Sequence, residues 1–276
     1  MRYSSWKNQY QIEKQFEKSL RTCKKFFKRI LKTAKHNPEV FSVLMQAFQN
    51  SNEWDDWVAL RVRKMVEPLS VQNANTWRKA AEQATRGSML HQFLQSEIKT
   101  HLYGTIQGLI TENAQMIKTL PTDLAEKVIK DVTGWTFEGV RSSEIQKRIS
   151  GKIEEHANAS AKLIARTEVS KTQSILTRAR SEQLNVNWYV WRTEQDQRVR
   201  KSHRIMEGVL VRWNDPPSPE MLAGEPFVGN YNAGEIWNCR CYAEPLVDLN
   251  DIRWPHKVYN NGTITSMTKK QFESLQ

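Results

Sequence analysis

NASAKLIARTEVSKTQSILTRARSEQLNVNWYVW, residues 158–191, joins two kinds of structure in one run. Up to Leu184 the apolar positions Leu163, Ile164, Val169, Ile175 and Leu176 are spread among small and charged residues with no Gly or Pro. That pattern predicts one long helix over 158–184. Trp188-Tyr189-Val190-Trp191 is then a short run of β-favouring residues and predicts a strand. Val209-Leu210-Val211-Arg212-Trp213 predicts a second, and Cys239-Arg240-Cys241-Tyr242-Ala243 a third, with small or apolar residues on one face and Arg240 and Tyr242 on the other. Val258-Tyr259-Asn260-Asn261-Gly262-Thr263-Ile264-Thr265 predicts a hairpin, because Asn-Gly supplies the positive φ of a primed turn. Thr268 followed by Gln271 predicts a capping box that opens a last short helix.

Upstream the periodicity is helical throughout. Val40, Val43, Leu44, Ala47 and Phe48 predict one stripe; Trp54, Trp57, Val58, Arg61 and Met65 predict a second that ends at Pro68. A third runs through Leu90, Leu94, Ile98, Leu102, Ile106, Leu109, Ile110 and Ile117 and stops at Pro121. Thr122 is expected to cap a short helix carrying Leu124, Val128 and Ile129, with Gly134 after its end. The expected fold class is α+β: a mostly helical N-terminal part, a long connecting helix and a small mixed C-terminal domain. The expected divisions are a basic amphipathic helix over 1–36, a helical domain over 37–155 and a third domain over 156–276. No repeat of 20–50 residues is visible, which excludes a solenoid.

The chain has 276 residues and a net charge of +11, and the charge is uneven. Residues 1–35 hold eleven basic side chains and two acids, a net +9 that leaves +2 for the remainder. Ile12, Phe16, Leu20, Cys23, Phe27, Ile30 and Leu31 recur every three or four residues through this segment, so it is a basic amphipathic helix. Two roles are open for Lys7, Lys14, Lys18, Arg21, Lys24, Lys25, Lys28, Arg29 and Lys32. They form either a solvated outer face over a packed apolar stripe or a contact surface for nucleic-acid phosphates or an acidic partner. Three cysteines are too few for a disulfide framework, there is no secretory leader at the start, and no apolar run reaches about 18 residues, so a reduced intracellular setting with no membrane is expected.

One constellation carries chemistry. Asp196-Gln197-Arg198-Val199-Arg200-Lys201-Ser202-His203 is followed by Gly208, by a Pro- and Gly-rich stretch of about 25 residues, and by Asn238-Cys239-Arg240-Cys241. A connection that long without regular structure is pinned or has a task. Together with Ala165-Arg166-Thr167-Glu168 on the preceding helix, these ordered motifs resemble the phage Mu F-like minor head proteins, also called phage head-morphogenesis proteins, over roughly residues 158–246. Arg166, Glu168, Arg198, Gly208, Asn238 and Arg240 are the motif residues outside the Cys/His set. The resemblance implies a non-enzymatic minor structural protein of a tailed-phage head, present in few copies, partnered by portal and capsid or scaffold proteins at the portal vertex, and in some members by packaged DNA. It also implies a location in the virion, in the head interior or at the portal vertex, after assembly in the host cytoplasm.

On a strand, a Cys-x-Cys pair aims both sulfurs at one side with Cα atoms about 6.6 Å apart, the upper edge of disulfide geometry. Three readings stand for His203, Cys239 and Cys241: small buried hydrophobes beside a hydrogen-bonded histidine, ligands of a zinc ion with Asp196 as a fourth, or a disulfide. Enzyme templates fit less well. The zinc-deaminase pattern fails because one residue, not two, separates the cysteines. Neither GxxxxGK nor GxSxG occurs. A metal-dependent nuclease or hydrolase built on Glu194, Asp196 and His203, and a sequence-independent DNA-binding accessory protein, are the alternative functions.

Overall fold

The computed structural model describes residues 6, 7, 9–83 and 102–275. The expected stripe positions Leu90, Leu94 and Ile98 lie outside the described residues. The described helices are α1 (Tyr10–Leu20), α2 (Lys24–Thr33), α3 (Pro38–Gln49), α4 (Asn52–Gln83), α5 (Leu102–Lys118), α6 (Leu120–Phe137), α7 (Ser142–Gln183), α8 (Lys201–Arg204), α9 (Pro219–Leu222) and α10 (Lys269–Glu273). The strands are β1 (Trp188–Arg192), β2 (Leu210–Arg212), β3 (Tyr242–Pro245), β4 (His256–Asn260) and β5 (Thr263–Met267). The class is α+β, as the sequence predicts. Among the described residues no helix is long and apolar enough to cross a membrane.

The chain forms two compact units whose limits differ from those expected at 36/37 and 155/156. One comprises Gln11–Val66 and Gly108–Arg166; the other comprises Met1–Tyr10, Glu67–Gln107 and Thr167–Gln276. The basic segment is therefore not a separate element: Phe16, Leu20, Cys23, Phe27 and Leu31 are buried in the core of the first unit. A 3-10 turn at Arg21–Cys23 divides it into α1 and α2. Burial pushes the Cys23 thiol up to about 12, which leaves it inert.

The first unit is all helical. Asn37 caps α3 by accepting from the backbone N–H groups of Glu39 and Val40, with Pro38 in the first turn. The face that α3 buries is Phe41, Met45 and Phe48, not the expected Val40 and Val43, which stay exposed. Both sets have helical spacing, and tertiary contact with aromatic neighbours decides between them. Trp54 is fully buried, stacks on Trp57 at 4.7 Å between ring centroids and packs against Phe27 and Phe48. Its indole N–H donates to the Lys118 carbonyl at 3.1 Å.

Two proline and glycine signals are overridden. Pro68 lies inside α4 instead of ending it. It removes one backbone donor, but Met65, Val66 and Leu69 around it are buried, which offsets a cost of about 3 kcal/mol. Pro121 opens α6, and no side chain caps that helix; Thr122 lies within it, as does Gly134. In the first turn proline forfeits a donor that has no partner anyway.

In the second unit the strand order is β3-β1-β2-β4-β5, antiparallel except for the parallel β2–β4 pair. Both faces are covered, which explains the unbroken apolar run of β1. Trp188, Val190, Leu210 and Val258 pack with Phe272 on one face; Tyr189, Trp191, Val209, Val211 and Tyr259 pack on the other. The β4–β5 hairpin turns at Asn261 and Gly262, both at positive φ, and Thr268 and Gln271 form the capping box of α10, as predicted. The α7 face that meets this unit is polar. Arg180 donates to Asn73 Oδ1 at 2.5 Å, and Asn73 Nδ2 donates to Thr177 at 2.8 Å, all three residues being buried.

Candidate metal centre

The connection between β2 and β3 lies over the Trp191 face of the sheet. His203 sits on α8, and Gly208 closes the following turn by donating its N–H to the Trp191 carbonyl at 2.9 Å. Cys239 and Cys241 precede β3 instead of lying on it, so strand alternation is not what aligns them. A tight turn does so, in which the Cys241 N–H donates to Cys239 Sγ at 3.3 Å. The backbone at Asn238 has positive φ, and its N–H donates to Thr167 Oγ1 at 3.0 Å, tying the turn to α7. Gly234 fixes the approach of the loop. Its φ is +92°, and a Cβ there would meet Cys241 O and Ser170 Oγ at 3.0 Å.

His203, Cys239 and Cys241 are buried, and their ligand atoms all lie within 4.8 Å of one another. His203 Nδ1 is 3.3 Å from Cys241 Sγ and 3.6 Å from Cys239 Sγ. Two donors on a tetrahedral zinc, at Zn–S near 2.3 Å and Zn–N near 2.0 Å, are separated by about 3.6 Å for S···N. The two S···N edges of the cluster, 3.3 and 3.6 Å, are close to that length. Both cysteines are free thiols, so the disulfide reading is not what the structure contains. The Cys241 thiol beside it and His203 hold the Cys239 thiol well below its ordinary range, while the neighbouring sulfur and burial push Cys241 up.

The other side of the imidazole is fixed by two residues the sequence does not single out. His203 Nε2 is 3.0 Å from Tyr231 Oη, which donates to the Glu220 carboxylate at 2.7 and 2.6 Å. Ser202 Oγ also donates to Glu220 at 3.3 Å. Since the Tyr231 hydroxyl proton points to Glu220, Nε2 is the protonated nitrogen and Nδ1 turns its lone pair to the sulfurs, a tautomer assigned from this network. Burial and Glu220 push the Tyr231 hydroxyl far up, so it remains a donor. If the cluster takes zinc, removing the acceptor of the Nε2–H in Tyr231→Phe is expected to weaken it about 10- to 100-fold while leaving the stoichiometry intact, as read by competition with a chromogenic chelator.

Asp196 does not join the donors. Its carboxylate is held by both Nη atoms of Arg240 and by Arg198, and Arg240 above all keeps it well below the usual carboxylate range. This bidentate clamp ties the Asp196 segment to the Cys turn. The acid–histidine set of a nuclease is not assembled either: Glu194 pairs with Lys7 at 3.5 Å. Among the described residues only the three donors group with metal-ligand geometry. Of the remaining motif residues, Arg166 pairs with Glu13 at 3.5 Å, and Glu168 is buried on α7.

The basic residues of α1 and α2 divide into two sets. Lys24 and Lys28 both bind Glu154, at 2.6 and 2.7 Å, Arg29 binds Glu53 at 2.7 Å, and Arg21 binds Glu17. The two lysines hold the Glu154 carboxyl down at about 2. Lys14, Lys18, Lys25 and Lys32 are exposed, and Lys18, Lys25 and Lys32 follow one another at intervals of seven.

The sheet thus follows a long helix and carries a buried Cys/Cys/His cluster built from two connections, His203 between β1 and β2 and the cysteines between β2 and β3. Residues 126–244, from α6 to β3, match the family model described as Phage Mu protein F like protein, the family whose motifs the sequence resembles. The chain is also 29% identical over 168 residues to an uncharacterized protein of Haemophilus influenzae, an alignment covering 60% of this chain. It spans about a third of the length of that curated relative. No solved structure matches.

Proposed function

We propose that this chain is a minor structural protein of a tailed-phage head that acts in head assembly at the portal vertex, with portal and capsid or scaffold proteins as partners and the virion as its destination. The match over residues 126–244 carries this reading. Co-expression with the portal protein encoded in the same phage genome, followed by co-purification and mass measurement, tests it. A complex of defined stoichiometry is the expected result, and a chain that passes through unassociated with portal or shell protein overturns it.

We further propose that His203, Cys239 and Cys241 hold a zinc ion. The residues fit the ion in donor chemistry, spacing and tautomer, and zinc supplies there a cross-link between α8 and the turn before β3. His203 is oriented by Tyr231 and Glu220, while the Asp196–Arg240 clamp positions the Cys turn.

A DNA-binding role is favoured by the exposed Lys18, Lys25 and Lys32, which among the described residues form no ion pair. Truncation of residues 1–35 would not test it, because Phe16, Leu20, Phe27 and Leu31 are core. The triple variant Lys18→Glu, Lys25→Glu, Lys32→Glu keeps the core. If these lysines meet phosphates, duplex DNA affinity falls and the log–log salt slope of the wild type drops by about 3, near one per lost contact. Equal binding and slope in the two proteins would eliminate the role.

A further inference from the structure

A cavity of about 20 Å³ is lined by Cys239, Cys241 and His203 together with Val199. That is room for about one water-sized atom group. Arg198, Arg200 and Arg240 line the rest of it with Asn238. Arg198 and Arg200 are exposed at its rim, whereas the three donors form a buried floor. Structural zinc sites use four protein ligands, and sites with three leave a position for an outside donor. Among the described residues the group has three, and the fourth side is this cavity.

The charges around the cavity favour an anion. Two thiolates and a neutral imidazole cancel the two charges of zinc, and behind the imidazole the Glu220 carboxylate, 3.7 Å from His203 Nε2, adds one negative charge that is held by the Tyr231 and Ser202 hydroxyls and is smaller than the positive charge of the rim. The three arginines face one carboxylate, Asp196, which Arg240 and Arg198 hold, and this leaves the rim at +2. The other nearby acids are turned elsewhere: Glu207 accepts from the Thr193 N–H and hydroxyl at 2.6 and 2.7 Å, and Glu194 pairs with Lys7. Arg200 reaches across the mouth to donate to the Trp237 carbonyl at 2.6 Å, which holds its guanidinium at the rim.

Building on the zinc reading above, we propose that the metal held by His203, Cys239 and Cys241 takes its fourth donor from outside the chain, as one oxygen of a phosphate group whose other oxygens rest on Arg198 and Arg200. One oxygen matches the size of the cavity, and planar guanidinium forks suit the remaining oxygens of a phosphate. The phosphate comes from free inorganic phosphate or from a nucleic-acid backbone, which present the same oxygen chemistry.

The full chain loaded with Co(II) in place of zinc tests this, with excess metal removed. Thiolate-to-cobalt charge-transfer bands report the two sulfurs, and the d–d bands report the fourth ligand. Titration with inorganic phosphate, and separately with a short duplex DNA, is expected to shift the d–d bands saturably while the charge-transfer bands persist. Response to phosphate identifies the free anion as sufficient, and response to DNA alone identifies the backbone as the source. The variant Arg198→Gln, Arg200→Gln, loaded until its charge-transfer bands match those of the wild type, should need about tenfold more anion for the same d–d shift, and an unchanged anion requirement overturns the role of the two arginines. A chain that takes up Co(II) without charge-transfer bands overturns the metal reading and this proposal with it. A chain with those bands whose d–d spectrum neither phosphate nor DNA moves keeps the metal reading and overturns the fourth ligand.

Discussion

Replacing Cys239 and Cys241 together by Ser is expected to abolish zinc uptake and, with zinc a thousandfold above its dissociation constant, to lower stability by about 4 kcal/mol. The magnitude follows from linkage: an ion that binds the folded site and not the unfolded chain contributes its binding free energy to folding. The sign with pH is fixed as well. Zinc needs thiolates, so protons compete with it, and affinity falls as pH is lowered through the thiol titrations. If the cysteines serve only as small buried hydrophobes, the outcome is different. Ser then costs about 1 to 3 kcal/mol by burying a hydroxyl, Ala is tolerated better, and a chelator changes nothing. Elemental analysis of protein purified without chelator, together with denaturation of wild type and both variants with and without EDTA, separates the two cases. Metal-free protein whose loop resists protease would eliminate the zinc.

In the helical unit the largest expected effect is at Trp54. Trp54→Ala removes a fully buried indole that stacks on Trp57, meets Phe27 and Phe48 and satisfies the Lys118 carbonyl. The expected loss is about 3 to 5 kcal/mol, because the surrounding rings belong to α2, α3 and α4 and cannot all close on the cavity. Urea denaturation followed by tryptophan fluorescence measures it. Trp54→Phe, which keeps most of the volume and loses the N–H, is expected to cost less than half as much. A loss below about 1 kcal/mol for Trp54→Ala would mean that α2 is not anchored through this ring.

The features that the sequence made legible are those whose physics is local. Asn261-Gly262 needs only its own φ preferences to turn a hairpin, and Thr268 with Gln271 closes a capping box within one helical turn. Trp188 to Trp191 reads as a strand because both faces of the sheet are covered. What was hidden depends on partners distant in sequence. Pro68 continues α4 because its flanks are buried, and Phe41 rather than Val40 faces inward because α3 packs on α6 and α2 along that side. The site divides the same way. His203, Cys239 and Cys241 stand out by residue type, while Tyr231 and Glu220 look like ordinary loop residues until the fold brings them to His203. The one available signal was the length of the loop, which required something to pin it. Asp196 was legible as a charged motif residue but not as the partner of Arg240, since either a metal or an arginine satisfies a carboxylate.

The strand order has a kinetic consequence. β4 and β5 are joined by two residues and can zip within microseconds. The β1–β3 pair and the parallel β2–β4 pair join segments more than 40 residues apart in sequence, so the chain must close large loops before either pairing is rewarded. The segment that carries Glu220, Tyr231, Cys239 and Cys241 is the one spanned by those closures. Loop-closure entropy favours its ordering after β1 has found β2, and a cation bound there would act on a nearly folded chain. Zinc bound there would therefore slow unfolding much more than it speeds folding, as a latch on the finished sheet.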